Sequence, residues 1–404
     1  MNIFDAVYYG LTPYFAIKFL NKYGAKTAIE YTRGRFRVDF EPLNSVKKNI
    51  LLHGASIGET LSLLPLKEAL EENFPEIKVI ISTATHTAYN LLRSKNGIKN
   101  DILYMPFDFS DKIKKFLQHV KPSILIITEQ EIWPNLIFTA FNLRTPIFFV
   151  NFRIKPQKAF IYHFSVYKDI LQRKIEKFFC ANELTIQNLN ELNVPDFKIM
   201  KIENLKVVPY IGKQPLSTEK FNIVTLLSIH KKEEKDLESI CKELCFKYKL
   251  KIVVIPRHIN FSNYFLKFFS KNFKSVISDD FDLRIFDNYD LVVINKFGVV
   301  NKILPFSKYT LLGGTFVNLG GHNILEPLFF SNKVLVGPHY YNIISEVEKG
   351  EKLNIVFKAS RVKDLSDFIK YDVADITHRC RSYFVDIENP VWKVINTLRP
   401  YIVL

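Results

Sequence analysis

Short apolar runs recur along the whole chain, each followed by a small-residue or polar turn and then by a stretch of helical periodicity. In the first half they occupy residues 49–52, 78–82, 102–105, 123–128, 146–150 and 198–202, and in the second half 222–227, 251–255, 291–294, 309–312 and 334–336. Continuous apolar runs, as opposed to strict alternation, mark strands buried on both faces, as in a parallel sheet. Amphipathic stretches from 59 to about 72, from 110 to 120 and from 231 to about 247 supply helices to cover such sheets. A further helical segment from about 378 to 398, with Trp392, Val394 and Leu398 as packing residues, closes the chain. A polar stretch holding Pro209, Gly212 and Pro215 divides the two halves. The pattern predicts an α/β protein of two Rossmann-like domains facing a central cleft.

The polar residues gather where the apolar runs end. Residues 53–60 read His-Gly-Ala-Ser-Ile-Gly-Glu-Thr, so that Ser56 and Glu59 fall at the first helical turn after a strand. A carboxylate there favours the helix dipole, and it is also placed to act as a general base on a docked hydroxyl. Glu129 and Glu131 follow another run, and Arg153 follows one more. Open α/β sheets place ligands at these carboxyl ends, which favours one shared site.

The richest window is Gly313-Gly314-Thr315-Phe316-Val317-Asn318-Leu319-Gly320-Gly321-His322-Asn323-Ile324-Leu325-Glu326-Pro327, which holds four of the chain's 14 glycines. Gly-Gly turns allow close backbone approach to a ligand. Asn323 is a candidate cap for the following helix, whose free N–H groups suit a phosphate. Glu326, about one turn on, is placed to accept ribose hydroxyls. Arg257 and His258 end another strand of this half. No strand-G-x-G-x-x-G start, P-loop or clustered metal-ligand motif is present.

At 404 residues the chain is too long for one ordinary core, and a hydrophobic content of 48% indicates ordered globular structure. Four scattered cysteines suit a reducing compartment, with Cys241 and Cys245 on the apolar stripe of a helix. The net charge of +15 is spread through the chain without a nucleic-acid-binding signature, so an anionic membrane or phosphorylated ligands fit it better. Residues 1–20 are mostly apolar and aromatic but are broken by Asp5, Pro13 and Lys18, and Lys22, Lys26, Arg33, Arg35 and Arg37 follow. This is a poor spanning helix. It suits an interfacial anchor with a basic flank facing headgroups, and equally an amphipathic helix packed on the domain.

The stretches 53–59, 129–135 (Glu-Gln-Glu-Ile-Trp-Pro-Asn), Asn151-Phe152-Arg153, Asn204-Leu205-Lys206, Ser228-Ile229-His230, Pro256-Arg257-His258, 313–327 and Gly337-Pro338-His339 together resemble the 3-deoxy-D-manno-octulosonic acid (Kdo) transferases of lipid A biosynthesis, glycosyltransferases of GT-B fold. They stand in the family's order and cover most of the chain. The resemblance implies inverting, metal-independent transfer of Kdo from CMP-Kdo to a lipid A precursor at the cytoplasmic face of the inner membrane, with no cofactor. It implies Glu59 as catalytic base, with Arg257 and His258 on the cytidine monophosphate. Gly313, Gly314, Gly320, Gly321 and Asn323 would shape the nucleotide pocket and Glu326 would hold the ribose. Ser56, Glu129, Arg153 and Lys206 would line the cleft on the acceptor side. Leu227 and Lys232 stand where the family tends to have glycine, Glu203 replaces a usual glycine, and Asn295 stands where an acidic residue is common. A GT-B transferase or epimerase acting on a different nucleotide sugar is the alternative.

The expected organisation is a membrane-associating segment at 1–35, an acceptor domain at 36–210, a CMP-Kdo domain at 211–375 and a helical segment at 376–404. A lipid acceptor adds weight to the interfacial reading of the start. The number of Kdo units added and the oligomeric state are not written in any motif.

Overall fold

The structure, a computed structural model, describes residues 2–36, 47–95, 98, 101–154, 156–213, 219–359, 365–370, 372–385 and 387–403. Arg37 and Pro215 lie outside the described residues, as do the side chains of Lys22 and Lys26. The chain forms two compact units, Met1–Pro209 with Glu388–Leu404, and Tyr210–Ile387.

The first unit is built on β1 (Lys48–Gly54), β2 (Ile77–Thr83), β3 (Ile102–Tyr104), β4 (Pro122–Thr128), β5 (Ile147–Phe152), β6 (Lys177–Cys180) and β7 (Ile199–Lys201). They form one parallel sheet in the order β3-β2-β1-β4-β5-β6-β7. Successive residues of a strand point to opposite faces. Leu51, Phe149 and Ile147 enter one core, and Ile50, Leu52, Phe148 and Val150 enter the other. Both faces are therefore covered, which is why these strands read as unbroken apolar runs.

The second unit holds β8 (Phe221–Ile229), β9 (Lys251–Pro256), β10 (Ser275–Ser278), β11 (Leu291–Ile294), β12 (Ser307–Leu312), β13 (Lys333–Val336) and β14 (Val356–Lys358). Its parallel order is β10-β11-β9-β8-β12-β13-β14. In each sheet the winding reverses beside the first strand, between β1 and β4 and between β8 and β12. The two doubly wound units agree with the α/β alternation of the sequence.

Three strands, β6, β10 and β14, escape the sequence reading. They are four, four and three residues long. Length does not set them apart, since β3, β7, β11 and β13 are equally short, and each is a strand by its pairing with a neighbour. All four cysteines are buried, and Cys241 and Cys245 sit in the core of the second unit.

The closing segment is two helices and not one. Val373–Val385 belongs to the second unit, and Pro390–Val403 belongs to the first. Proline cannot donate to a preceding turn but is well placed at a helix start, so Pro390 begins the last helix and does not prolong the one before. Val391, Val394, Ile395 and Leu398 pack on the first sheet. Trp392, expected among the packing residues, is 47% exposed, on the outer face of that helix.

The N-terminal segment Ile3–Phe36 is helical but folded back on itself. Gly24 has φ 74° and ψ 163°, a conformation open essentially to glycine alone. The rings of Phe19 and Tyr31 stack with centroids 4.5 Å apart. Twelve residues of straight helix would separate them by about 18 Å, so the chain reverses at Gly24. Both ends of this hairpin are pinned to the first unit. The Asp5 carboxylate accepts Ser110 N at 2.8 Å and Ser110 Oγ at 2.6 Å, at the start of the helix Ser110–Val120. Arg35 donates to Met105 O at 2.9 Å, Pro106 O at 3.1 Å and Tyr31 Oη at 2.8 Å, with its guanidinium over Phe107 and Trp133. Arg35 is therefore a buried strut and does not belong to a basic flank facing headgroups. Ile3, Val7, Leu11, Tyr14 and Ile17 nevertheless remain exposed at helical spacing. Among the described residues no helix is long and apolar enough to cross a membrane.

Candidate active site

In the first unit, the carboxyl ends of β1, β4 and β5 and the turn after β7 carry the predicted polar residues. The exit of β1 is set by Ser56, whose extended backbone and hydroxyl cap the helix Ile57–Asn73. Ser56 and Glu59 form a capping box. Glu59 Oε2 accepts Ala55 N at 2.8 Å and Ser56 N at 3.4 Å, and Glu59 Oε1 accepts Ser56 Oγ at 2.8 Å. The cap thus holds the carboxylate at the end of β1 in one orientation. Burial pushes its pKa from 4.5 up to about 7, helped by the negative charges of Glu129 and then Glu131, and the Ser56 and Ala55 hydrogen bonds offset only part of this. The cap that starts the helix is thus also what fixes the Glu59 carboxylate at the strand exit.

Glu129 leaves β4 in the left-handed region, at φ 56°. Its N–H remains tied to Val150 O at 2.9 Å, which turns the side chain off the strand line. The buried carboxylate bridges two cations, Lys206 Nζ at 2.7 Å and the Arg153 guanidinium. Asn151, at φ 51°, places that arginine, and its Oδ1 accepts Leu205 N at 2.8 Å, which fastens the turn bearing Lys206. Glu129, Arg153 and Lys206 are therefore one ion cluster from three separate strand exits. Glu131 is held differently, accepting Trp133 Nε1 at 2.8 Å.

In the second unit the predicted residues gather at the exits of β8, β9 and β12. Gly313 leaves β12 against the exit of β8, where a Cβ would stand 2.2 Å from Ser228 O. No side chain fits, and the backbone concerned cannot yield. Gly313→Ala is expected to cost about 1–3 kcal/mol by overpacking, read as a lower midpoint of chemical unfolding. Gly320 and Gly321 both have φ +85°, which completes the second Gly-Gly turn. In this structure the glycines thus admit the chain's own backbone and neighbouring side chains at close range.

Glu233, which sequence reasoning passed over, is the post behind this turn. It is fully buried and accepts Gly314 N at 2.8 Å, Phe316 N at 3.1 Å and His230 N at 2.6 Å. Its one sequence signal is its place in the first turn after β8. Lys232, where glycine is usual in the resembled family, takes φ 90°, a strained value for a residue with a side chain.

The rings of His230 and His322 are nearly parallel, with centroids 4.9 Å apart and planes 16° apart, and His258 meets His230 edge-on at 5.8 Å. Arg257 stands at the same β9 exit, with its N–H on Ile229 O at 2.9 Å. Asn323 Oδ1 accepts Leu325 N at 3.1 Å, the start of a five-residue helix that carries Glu326. Burial raises the Glu326 carboxyl pKa above its ordinary value. Tyr210 hydrogen-bonds Asn323 and feels the Glu326 charge, so these three residues form a group. Nothing in the pattern around Tyr210 marked it in advance.

The sequence model of the 3-Deoxy-D-manno-octulosonic-acid transferase (kdotransferase) family matches residues 31–208. A 3-deoxy-D-manno-octulosonic acid transferase of Aquifex aeolicus is 27% identical over 326 residues, 80% of this chain and 86% of the relative. One from Haemophilus influenzae is 24% identical over 306 residues, 73% of this chain and 72% of the relative. Among solved structures, a UDP-N-acetylglucosamine 2-epimerase from Rickettsia bellii superposes with a TM-score of 0.58 at 12% identity, covering 88% of this chain and 97% of that one. Likeness at that identity shows the fold, which is GT-B-like.

Proposed function

We propose that this chain, which is similar to the 3-deoxy-D-manno-octulosonic acid (Kdo) transferase family over residues 31–208 and to Kdo transferases along most of its length, is an inverting glycosyltransferase moving Kdo from CMP-Kdo to lipid IVA, a lipid A precursor. The observation that carries this reading is Glu59, a carboxylate at the reversal point of the first sheet whose surroundings bring its pKa to about 7. A base near the working pH removes a proton most effectively.

The Glu59 carboxylate takes the proton of an acceptor hydroxyl. The hydroxyl oxygen forms a bond to the anomeric carbon of Kdo from the face opposite the phosphate. The bond from that carbon to the phosphate oxygen breaks, and its electron pair stays on the phosphate. One displacement inverts the configuration. The Glu129–Arg153–Lys206 cluster orients the acceptor side, and Ser56 keeps the Glu59 carboxylate aimed. In the second unit Arg257 and His258 bind the cytidine monophosphate. Glu326 accepts from the ribose, and the two Gly-Gly turns with Asn323 shape the nucleotide pocket. The leaving phosphate is stabilised by these cations and by backbone N–H groups, without a metal ion. The test is incubation with CMP-Kdo and lipid IVA, with and without EDTA, followed by product masses. A mass increase of one or more Kdo units, unchanged by EDTA, supports the reading. No product with this pair, and transfer or epimerisation with another nucleotide sugar, sinks it.

We also propose that the exposed stripe of the N-terminal hairpin lies on the cytoplasmic face of the inner membrane. Ile3, Val7, Leu11, Tyr14 and Ile17 offer apolar area that water disfavours, on a chain of net charge +15. Removing residues 1–20 also removes the Asp5 cap, so point changes give the cleaner test. Val7→Ser with Leu11→Ser and Ile17→Ser is expected to reduce sedimentation with anionic vesicles about tenfold or more, since each change withdraws about 1 kcal/mol or more of apolar burial. Transfer to a short-chain, detergent-soluble acceptor stays unchanged. Equal vesicle binding by the triple variant and the parent sinks the assignment.

A further inference from the structure

The two near-parallel histidines of the second unit are joined by a direct contact. Their Nε2 atoms lie 2.6 Å apart, a hydrogen bond between two ring nitrogens. That contact requires one Nε2 to carry a proton and the other to offer its lone pair. The pair thus shares a single proton across the bond. A second proton would put two N–H groups head to head, and the contact would have to open.

The surroundings fix both partners. Glu233 holds the His230 backbone N–H at 2.6 Å and the Gly314 N–H at 2.8 Å, which ties the exits of β8 and β12 together. Gly314 lies flat under the second ring, and a Cβ there would stand 3.1 Å from His322 Cδ2 and Nε2. Titratable groups beside the pair include His258 and Arg257 from the β9 exit and Glu233 from the turn after β8. The last is turned toward backbone N–H groups. Burial, then His258, then Arg257 hold the His230 pKa down, at about 4. Among the described residues no three His, Cys, Asp or Glu side chains are grouped to hold a metal ion. The site lies at the strand exits flanking the reversal point of the second sheet, where open α/β folds receive phosphate groups.

From this geometry we infer that the His230–His322 pair is a proton-coupled phosphate contact. It takes one proton from solvent when the donor's phosphate binds, opens, and turns its Nε2–H groups onto the phosphate oxygens. The inference rests on the reading of the second unit as the nucleotide site. A phosphate raises the affinity of the pair for a second proton, because an anion now faces the imidazolium that Arg257 and His258 oppose in its absence. During transfer the phosphate goes from one negative charge to two, as the bond to the anomeric carbon breaks and its electron pair stays on oxygen. The protonated pair meets that charge with hydrogen bonds and keeps its proton until the nucleotide leaves. No bond to substrate is made by either ring.

The test is calorimetric titration of the full-length protein with CMP, and with cytidine as the phosphate-free control, between pH 6 and 8 in two buffers of different ionisation enthalpy. Histidine ring nitrogens are followed in parallel by NMR on the 15N-labelled protein. CMP binding is expected to draw about one more proton in the parent than in His322→Asn or His230→Asn. Its affinity then gains up to about tenfold more per unit fall in pH than in either variant. CMP moves the unprotonated Nε2 of the pair to the protonated position, so that both Nε2 atoms then carry protons, and cytidine leaves these signals in place. CMP binding without extra proton uptake and without movement of these signals overturns the inference and leaves the nucleotide reading standing. Failure of CMP to bind the parent overturns both. The NMR arm needs no variant, so a poorly folded substitution does not leave the question open.

Discussion

Glu59→Gln is expected to slow transfer to lipid IVA about 10²- to 10⁴-fold, the usual contribution of a positioned general base, while CMP binding is unchanged. Glutamine is the informative replacement. Glu59 occupies the third helical position of a capping box with Ser56, and glutamine fills that position too. The amide accepts from Ala55 N and Ser56 N as the carboxylate does, so the helix Ile57–Asn73 keeps its start. Glu59→Ala removes cap and base together and costs stability as well. Unfolding curves separate the two effects. The folded-state pKa of Glu59, about 7, lies above its ordinary 4.5. The neutral form is therefore the one the fold favours, and its contribution is complete below pH 4.5 and is lost as pH rises through about 7. The parent should lose stability relative to Glu59→Gln across that window. A parallel pH dependence of the two unfolding midpoints, or an undiminished turnover of the glutamine variant, removes Glu59 from the role of base.

Glu129→Gln is the second large effect, and it has two parts. Burial raises the Glu59 pKa most, with Glu129 next and Glu131 after it. Neutralising Glu129 should move the acid limb of the rate–pH profile down, on the order of one pH unit. Glu131→Gln should move it the same way by less. The Glu129 change also leaves Lys206 and Arg153 without the carboxylate they share in a largely buried place. Breaking one side of such a cluster costs about 3 kcal/mol or more, visible as a lower midpoint in denaturant. The Glu131 change leaves the Glu129 ion cluster intact, and an amide oxygen still accepts from Trp133, so that midpoint should stay nearly in place. An acid limb that stays put in both variants would mean that the carboxylates do not share a field with the base.

The fold was largely legible because its strands are buried on both faces, and such strands must be continuous apolar runs whatever surrounds them. The exceptions have a common cause. The strands β6, β10 and β14 are strands through pairing with neighbours distant in the chain or across a turn of it. The single closing helix became two because a proline restarts the chain in another unit, and Trp392 faces out because the apolar stripe of that helix runs through Val391, Val394 and Leu398 instead. Arg35 read as a surface cation among basic neighbours. Only the reversal at Gly24 brings it onto Met105, Pro106 and the Trp133 ring. The site residues were legible as types at strand ends, yet their partnerships were not. Glu233, Tyr210 and His322 carry no local signal of the contacts they make, since those partners are tens of residues away in sequence.

The sequence by itself determined which residues stand at the ends of the strands, because apolar runs locate a parallel sheet and small or polar residues must follow where each strand leaves it. It also determined Glu59 as a first-turn residue of the helix after β1, a matter of spacing within one turn, and the structure added Ser56 as its capping partner. The tertiary structure decided the charge states and the pairings. It set Glu59 beside Glu129 and Glu131, put Glu129 between Arg153 and Lys206, and closed His230 on His322. The reason is that electrostatic fields and desolvation depend on distances through space. Those distances exist only once strands far apart in the chain lie side by side.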